Sequence, residues 1–373
     1  MIHISTVRGK SMLDSFIDFP HDLYSGDSNY VPELFISQKE LLTPKKNPFF
    51  QHAKMELFLA TRNDRIVGRI AAIINDNHNA FVGRREGFFG FFDCINDPEV
   101  AAKLLETAAG YLRDNNIGTM LGPVNPSTND PCGTLVNGFD GPPVAMMPYN
   151  AAYYDALITE SGLVKWTDLL AYIIKREELS GRVVALRDLL LHRLEKNGIT
   201  IRPIRMKDFK SETDQIKAVY NSAWDKNLGF VPMTDAEFNR LAAELKLIIN
   251  PEACLVAEKD GKLVAWLLGI PDINQILIKI KKGRLFPTGL FKLLTGRKNI
   301  TTVRVLTLGV LEPYRKLGIE SALYTTLIKN LENTKIDTAE CSWLLEDNHA
   351  ITSAVEKLNA KPYRRYRLYR KEL

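Results

Sequence analysis

The stretch Val303–Ile328 reads VRVLTLGVLEPYRKLGIESALYTTLI and joins a strand pattern, a glycine loop and a helix start. The apolar, β-branched run up to Leu311 predicts a strand, and apolar residues after Gly318 recur at helical spacing (Leu323, Leu327). A strand that passes through a tight loop into a helix leaves several backbone N–H groups unpaired near the positive end of the helix dipole. This arrangement predicts an anion site suited to a diphosphate, and Gly318 lets the backbone approach the ligand closely.

The two halves of the chain predict the same β-hairpin at corresponding places. In the first half, strands Met55–Arg62 and Arg65–Ile74 flank Asn63-Asp64. In the second half, strands Cys254–Lys259 and Lys262–Ile270 flank Asp260-Gly261. Asp-Gly between apolar strands is a strong hairpin pattern.

The elements around these hairpins also follow one order in both halves. In the first half they are Ile2–Val7, Ser11–Tyr24, Pro32–Leu42, Gly87–Ile95, Pro98–Asn115, Thr119–Val124, Tyr149–Ser161 and Trp166–Ile174. In the second half they are Ile199–Arg205, Ser211–Asn227, Asp235–Ile249, Val303–Leu311, Ile319–Asn333, Thr338–Leu345, Asn348–Leu358 and Arg364–Arg370. The charged segment between the halves has apolar residues at helical spacing (Val184, Leu186, Leu190, Leu194), which predicts a connecting helix.

The order β-α-α-β-β-β-α-β-α-β and the motif Arg315-x-x-Gly318-x-Glu320 resemble the GNAT superfamily of acyl-CoA N-acyltransferases. The resemblance implies an α/β (α+β) tandem of two GNAT-like domains, each a mixed, mostly antiparallel central sheet flanked by helices. We expect a degenerate first domain over residues 1–175, a connecting helix over 176–198 and a cofactor-binding acyltransferase domain over 199–373. Glu320 departs from the motif, because the family has a small residue there.

The resemblance also implies a site for acetyl-CoA or another acyl-CoA. Leu308, Gly309 and Val310 match the positions that hold the pantetheine and the acyl carbonyl, and the N–H of Val310 is a candidate oxyanion donor. The expected diphosphate loop comprises Arg315, Lys316, Leu317, Gly318, Ile319, Glu320 and Ser321. Asn348 matches an asparagine that contacts the cofactor arm.

Glu320 allows two interpretations. Its carboxylate could face the phosphates, where repulsion at ~4 Å costs on the order of 1 to 4 kcal/mol. Alternatively, the side chain turns outward and only the backbone N–H faces the ligand, since Glu is also favourable in a first helical turn. The first alternative would make this half a pseudo-enzyme.

The residues for proton transfer are less obvious. Val355 occupies the place where many family members carry the tyrosine that protonates the leaving thiolate. Tyr363 could substitute, as could Tyr366 and Tyr369, although packing on a terminal strand explains each of them too. Glu340 is the candidate general base, with an exposed strand-face carboxylate as the plainer interpretation. No histidine pattern has metal-ligand spacing, so no metal is expected.

The first half lacks the cofactor loop. Its fourth strand runs through Asn96 into a helix that Asp97 is predicted to cap, with Pro98 in the first helical position. A capping carboxylate already satisfies the free N–H groups and repels phosphate. We therefore expect the first half to support the second and to help shape the acceptor pocket.

Two insertions interrupt the repeated order. Gly122–Asn150 is rich in Gly, Pro and Asn but also apolar, which fits either a wall of the acceptor site or a structural Ω-loop. Ile273–Ile300 carries seven basic residues and no acidic one, with apolar residues between them. This segment could be a basic flap near the adenosine phosphate or a peripheral contact with an anionic surface.

Composition sets further limits on function. The 373 residues allow two domains, and a net charge of +5 is too small to imply nucleic-acid binding. Four widely spaced cysteines, the absence of an 18-residue apolar run and an N-terminus unlike a signal peptide predict a cytoplasmic protein with reduced thiols. We expect transfer of an acyl group, with acetyl favoured, to a small-molecule or peptide amine. The alternatives are a non-catalytic acyl-CoA or metabolite-binding pseudo-enzyme and an interaction scaffold.

Overall fold

The computed structural model describes residues 1–179, 181–223 and 229–373 of the chain, apart from the side chains of 182–184, 222–223 and 350. The chain forms two compact units. The first comprises Met1–Leu169, Asn274–Thr295 and Arg364–Leu373, and the second comprises Leu170–Ile273 and Gly296–Tyr363.

The elements up to the connecting segment closely follow the predicted order. They are β1 (Ile2–Thr6), α1 (Gly9–Leu23), α2 (Phe35–Leu41), β2 (Ala53–Arg62), β3 (Arg65–Asn75), α3 (Asp76–Val82), β4 (Glu86–Cys94), α4 (Pro98–Asp114), β5 (Thr119–Gly122), β6 (Thr134–Asn137), α5 (Tyr154–Glu160) and β7 (Val164–Lys175). Helix α3 and strand β6 were not predicted.

The remaining elements run from the connecting helix to the last strand. They are α6 (Gly181–Lys196), β8 (Ile199–Pro203), α7 (Phe209–Ala223), α8 (Asp235–Lys246), β9 (Cys254–Lys259), β10 (Lys262–Pro271), α9 (Asn274–Leu277), α10 (Gly289–Gly296), β11 (Thr302–Val310), α11 (Ile319–Leu331), β12 (Thr338–Leu345), α12 (His349–Glu356) and β13 (Lys361–Glu372). The predicted end of the helix Ser211–Asn227 and the side chain of Val184 lie outside the described residues.

The first unit is built on a sheet with the strand order β1-β2-β3-β4-β5-β13. All of these neighbours are antiparallel except β4 and β5, which are parallel. Helix α4 buries one apolar face against the sheet, where Leu104 and Leu112 meet Ile70 and Phe89 in one core. The alternation of apolar residues in the strands and their helical spacing in α4 produce this packing.

The second unit repeats the plan with the strand order β12-β11-β10-β9-β8. Here β11 and β12 are the parallel pair and the other described pairs are antiparallel. Leu323 and Leu327 of α11 pack with Leu255 and Val303 of the strands in a separate core. The two sheets with their flanking helices confirm the predicted fold class.

The two hairpin turns are confirmed at single-residue register. Arg62 pairs with Arg65 across Asn63-Asp64, and Lys259 pairs with Lys262 across Asp260-Gly261. All four central residues have positive φ, between 50° and 73°. Asn, Asp and Gly tolerate this conformation better than other residues, which explains why the sequence pattern was reliable.

The two compact units do not coincide with the two domains expected from the sequence, because two segments of the second half pack with the first unit. Residues 274–295 and 364–373, which the sequence division assigned to the second domain, pack with the first unit. Within that unit Tyr369 pairs with Gly122 of β5, and Arg364 donates hydrogen bonds to the carbonyls of Gly138 and Gly141 at 3.0 and 2.6 Å. The boundaries at 175 and 198 remain a prediction about the repeated halves, since compactness is a different criterion.

Candidate active site

The loop between β11 and α11 leaves a series of backbone donors without protein acceptors. Within the described residues, no protein group accepts a hydrogen bond from the backbone N–H groups of residues 316–321. The first helical bond is that of Ala322, whose N–H donates to the carbonyl of Gly318 at 3.0 Å. Gly318 itself has a φ of +89°, which glycine adopts most easily. These donors and the helix dipole favour an anion at this point.

The side chains of the loop divide between its two faces. Ile319 is fully buried and Leu317 packs against the core of the second unit, so these two anchor the loop. Arg315 and Lys316 are exposed. The Nε of Arg315 also donates to the carbonyl of Val310 at 3.2 Å, which ties the loop back to the end of β11. Arg315 therefore supplies both charge and a positioning contact.

Strands β11 and β12 separate in front of this loop. Their parallel ladder extends only from Thr302 and Thr338 to Val305 and Cys341, although both strands continue beyond it. Past Val305, the edge of β11 that faced β12 has backbone groups without a strand partner. A cleft of this kind can accept an extended ligand that hydrogen-bonds to the strand edge.

The other edge of β11 explains its local shape. The β10–β11 ladder shifts register between Leu268 and Gly269, which leaves Leu306 as an extra residue on β11. Gly309 lies against Trp266, where an added Cβ would come within 2.0 Å of the indole ring. The predicted pantetheine positions Leu308, Gly309 and Val310 therefore follow a bulge that sequence reasoning did not locate. A glycine in an apolar strand was the available indication.

The two predicted catalytic side chains contact each other. The hydroxyl of Tyr363 donates to Oε1 of Glu340 at 3.3 Å. Glu340 is fully buried, and Arg304 lies beside it with 3.6 Å between Nε and Oε2. Ser342 Oγ donates to Oε2 at 2.9 Å and accepts from Arg304 Nε at 3.1 Å. Glu340 thus lies in a buried ion pair next to the last ladder pair of β11 and β12.

This environment differs from both sequence interpretations of Glu340. It is not an exposed strand-face carboxylate, and a carboxylate paired with a buried guanidinium is a weak proton acceptor. Sequence reasoning missed Arg304, although an arginine within the apolar run 303–311 already indicated a buried partner. The parallel register places Arg304 directly opposite Glu340.

The remaining predicted residues are distributed as follows. Asn348 caps α12, its side chain accepting from the N–H of Ile351 at 3.4 Å. Val355, which replaces the family tyrosine, is completely buried. Tyr366 and Tyr369 are buried residues of the first unit, and Tyr369 belongs to its core and donates to Asp155 at 2.6 Å. Of the three terminal tyrosines, Tyr363 is the one that the second unit contains.

Glu320 is half-buried on the side of α11 that carries Tyr324. Burial raises the pKa of Tyr324 well above its ordinary value, and the neighbouring Cys341 thiol and the Glu320 carboxylate raise this pKa further. Because Glu320 is itself half-buried, its side chain is not directed wholly into solvent.

The corresponding region of the first unit is closed by its own chain. Asp97 accepts hydrogen bonds from the N–H groups of Glu99 and Val100, which confirms the predicted cap, and Arg62 holds its carboxylate at 2.7 Å. The Arg62 hydrogen bond lowers the pKa of Asp97, so the cap stays charged. Beyond the β4–β5 ladder, Val124 donates to Phe89 at 3.0 Å and occupies the space beside this strand.

The first insertion thus fills the cleft of the first unit. An added Cβ at Gly90 would lie 1.7 Å from the carbonyl oxygen of Val124, and Asn125 accepts from the N–H of Phe91 at 2.6 Å. The start of the insertion is packed into the unit and does not extend into solvent. The loss of cofactor binding in the first copy stays a prediction, and this packing is an argument for it.

Two features are absent from the part of the chain that the structure describes. No group of three or more His, Cys, Asp and Glu side chains is arranged to hold a metal ion. No helix in that part of the chain is long and apolar enough to cross a membrane.

The fold is a tandem GNAT fold. A tandem GNAT protein from the clavulanic acid biosynthesis pathway, solved without AcCoA, has a TM-score of 0.60 and 10% identity, covering 100% of this chain and 98% of its own. A GCN5-related N-acetyltransferase from Sphaerobacter thermophilus has a TM-score of 0.52 and 12% identity, and the match covers 100% of this chain and 95% of that protein. No protein-family model matches the sequence.

Two relatives share the whole length of the chain. Protein YghO of Escherichia coli (strain K12) is 36% identical over 376 residues, which is 99% of this chain and 95% of that protein. The bacterial ceramide synthase of Caulobacter vibrioides (strain NA1000 / CB15N) is 33% identical over 379 residues, which is 100% of this chain and 98% of that protein. The chain belongs to the family that contains these two proteins.

Proposed function

We propose that this protein transfers an acyl group from acyl-CoA to the nitrogen of an amine, and that the donor binds in the second unit. The contrast between the two copies carries the proposal. One copy has a capped helix and a cleft filled by its own chain, whereas the other has unpaired N–H groups over 316–321 beside an open strand edge. A diphosphate and the arm attached to it fit the second arrangement.

The reaction requires no net gain or loss of protons. The neutral amine attacks the thioester carbonyl, the C–S bond breaks, and the proton lost by nitrogen balances the one gained by the thiolate. Backbone N–H groups on the open edge of β11 would stabilise the oxyanion, with Val310 still the proposed donor. A single hydroxyl can carry the proton between the two atoms, and we assign this role to Tyr363, with Glu340 holding it in place through the 3.3 Å hydrogen bond.

The acceptor in this proposal is a long-chain amino alcohol. A ceramide is the amide of a long-chain acid with such an amine, and the relative named bacterial ceramide synthase is similar to this chain over its full length. The same name favours a long acyl group over the acetyl group expected from the sequence. Both donors belong in the test because a tandem GNAT fold is compatible with either.

The first experiment combines binding with turnover. Calorimetry with acetyl-CoA and palmitoyl-CoA measures donor binding, and release of free thiol is then followed with short amines, peptide amines and sphinganine. We expect saturable binding of the donor and thiol release that is greatest with palmitoyl-CoA and sphinganine. Absence of CoA binding would overturn the proposed donor site. A preference for acetyl-CoA with a short amine would overturn the proposal that the acceptor is a long-chain amino alcohol.

A second experiment tests Tyr363. Tyr363→Phe should lower kcat by about two orders of magnitude or more while the affinity for CoA stays the same. Tyr172→Phe is the matched control, because it also removes a hydroxyl that donates to a carboxylate of the second unit, Glu356, at 3.0 Å. Equal losses in the two variants would show that the hydroxyl of Tyr363 has only a structural role.

A non-catalytic acyl-CoA-binding protein is the second candidate. The observation that favours it is the buried pairing of Glu340 with Arg304, together with a buried Val355 in place of the family tyrosine. This alternative predicts saturable donor binding without thiol release from any amine in the panel.

A further inference from the structure

The segment Asn274–Thr295 presents a patch of exposed apolar side chains, which we call the α10 patch. The side chains of Phe286, Leu290, Phe291 and Leu294 are 78%, 38%, 70% and 63% exposed. Leu294 lies one helical turn from Leu290 and three positions from Phe291, so it neighbours both side chains on the surface of α10. Large apolar side chains that stay this exposed within one short segment indicate a surface that contacts something other than water.

The base of this segment is fastened to the first unit. Lys282 pairs with Asp22 at 2.6 Å, and Arg284 pairs with Asp18 at 2.9 Å while its guanidinium lies 3.3 Å from the centre of the Phe35 ring. These two basic side chains are therefore paired with carboxylates of the first unit, although each remains 39% exposed. The basic flap considered from the sequence thus has two of its charges paired with the first unit.

Close backbone packing fixes the segment further. An added Cβ at Gly283 would meet the carbonyl oxygen of Glu33 at 1.8 Å, and one at Gly289 would meet the carbonyl oxygen of Arg284 at 2.5 Å. The base of the α10 patch is thus closely packed, against Glu33 of the first unit and within the segment itself. A fixed patch loses little conformational entropy when it binds.

The charges around the patch select its partner. Three basic residues of Asn274–Thr295 remain after the two ion pairs, and this segment contains no acidic residue. They are Lys279, Lys281 and Lys292. Protein interfaces are generally depleted of lysine, whereas exposed Phe and Leu among lysines are typical of surfaces that insert into anionic lipid.

We propose that the α10 patch docks on the surface of a bilayer containing anionic lipid, with its two phenylalanines in the boundary between headgroups and acyl chains. This proposal does not depend on the identity of the acceptor. If the acceptor is a long-chain amino alcohol, however, docking places the protein where such a molecule resides.

Vesicle co-sedimentation tests the proposal on the full chain. Vesicles of phosphatidylcholine with about one-third phosphatidylglycerol should retain the protein, and pure phosphatidylcholine should retain it at least about tenfold less. Phe286→Ser/Phe291→Ser should weaken the partition by about tenfold or more. Leu186→Ser/Leu189→Ser is the matched control, since it removes two other exposed apolar side chains, on α6, and should change the partition less than twofold.

The charge contribution is tested in the same assay. Lys281→Glu/Lys292→Glu should weaken binding by tenfold or more, with Lys45→Glu/Lys54→Glu as the control of equal net charge. Equal binding by the phenylalanine variant and the wild type would overturn the proposal, as would equal binding to both vesicle types. Circular dichroism and gel filtration of each variant confirm its folding, and the readout is independent of turnover.

Discussion

Replacing Glu320 with Gln tests the diphosphate site through one charge. Glu320 stands in the first turn of α11, so its carboxylate lies within about one turn, ~5 Å, of the N–H groups that would bind the phosphates. At an effective dielectric of ~40, a unit repulsion over ~7 Å is about 1 kcal/mol, which corresponds to about fivefold in affinity. We therefore expect Glu320→Gln to tighten CoA binding about three- to tenfold. The variant should also lose about 0.5 kcal/mol of stability, because the helix dipole favours the charge.

Calorimetry with CoA and with pantetheine, which has no phosphates, measures this effect. The gain should appear for CoA alone and shrink as salt is added. Glu332→Gln is the control, since Glu332 lies just beyond the other end of the same helix, roughly 18 Å away along the axis and outside the Debye length. Unchanged CoA affinity in Glu320→Gln, or an equal gain for pantetheine, would refute the reasoning.

Three further predictions concern stability. Asp97→Ala should destabilise the protein by about 1 kcal/mol in urea unfolding, whereas Asp97→Asn, which also caps a helix, should retain most of that stability. Burial lowers the pKa of His21 from 6.5 to about 4, so between these pH values only the unfolded chain takes up this proton. The free energy of unfolding should therefore fall by up to about 3 kcal/mol as the pH drops from 6.5 to 4. In urea titrations at several pH values, His21→Asn should flatten this slope. Arg304→Met should cost about 3–5 kcal/mol, and Arg304→Met/Glu340→Met should restore most of it; a double variant as unstable as the single one would contradict the pairing.

Local sequence patterns were sufficient for much of the fold. The hairpins at Asn63-Asp64 and Asp260-Gly261 depend on residues that accept positive φ, and the cap at Asp97 depends on a side chain beside its own helix. Each preference acts within a few residues and can be read without knowledge of the tertiary structure. The uncapped helix start after Gly318 was predictable for the same reason.

Interactions between distant segments of the chain could not be predicted from such local patterns. The alternation of side chains along a strand places Glu340 on one face of β12. Only the register between β11 and β12 shows that Arg304 lies opposite it. In the same way, the composition of Gly122–Asn150 does not reveal that Val124 fills the first cleft. Long-range pairing depends on how the complete sheet closes, and single-sequence periodicity does not contain that information.

The final strand has a consequence for how the protein is made on the ribosome. The hydroxyl of Thr119 in β5 donates a hydrogen bond to the carboxylate of Glu372 in β13, which lies 253 positions further along the chain. At a translation rate of about 5–20 residues per second, the nascent β5 therefore waits roughly 10–50 seconds for its neighbour. During synthesis its hydrogen-bonding edge stays open to other strands, so chaperones that shield such edges should act on the partly made polypeptide.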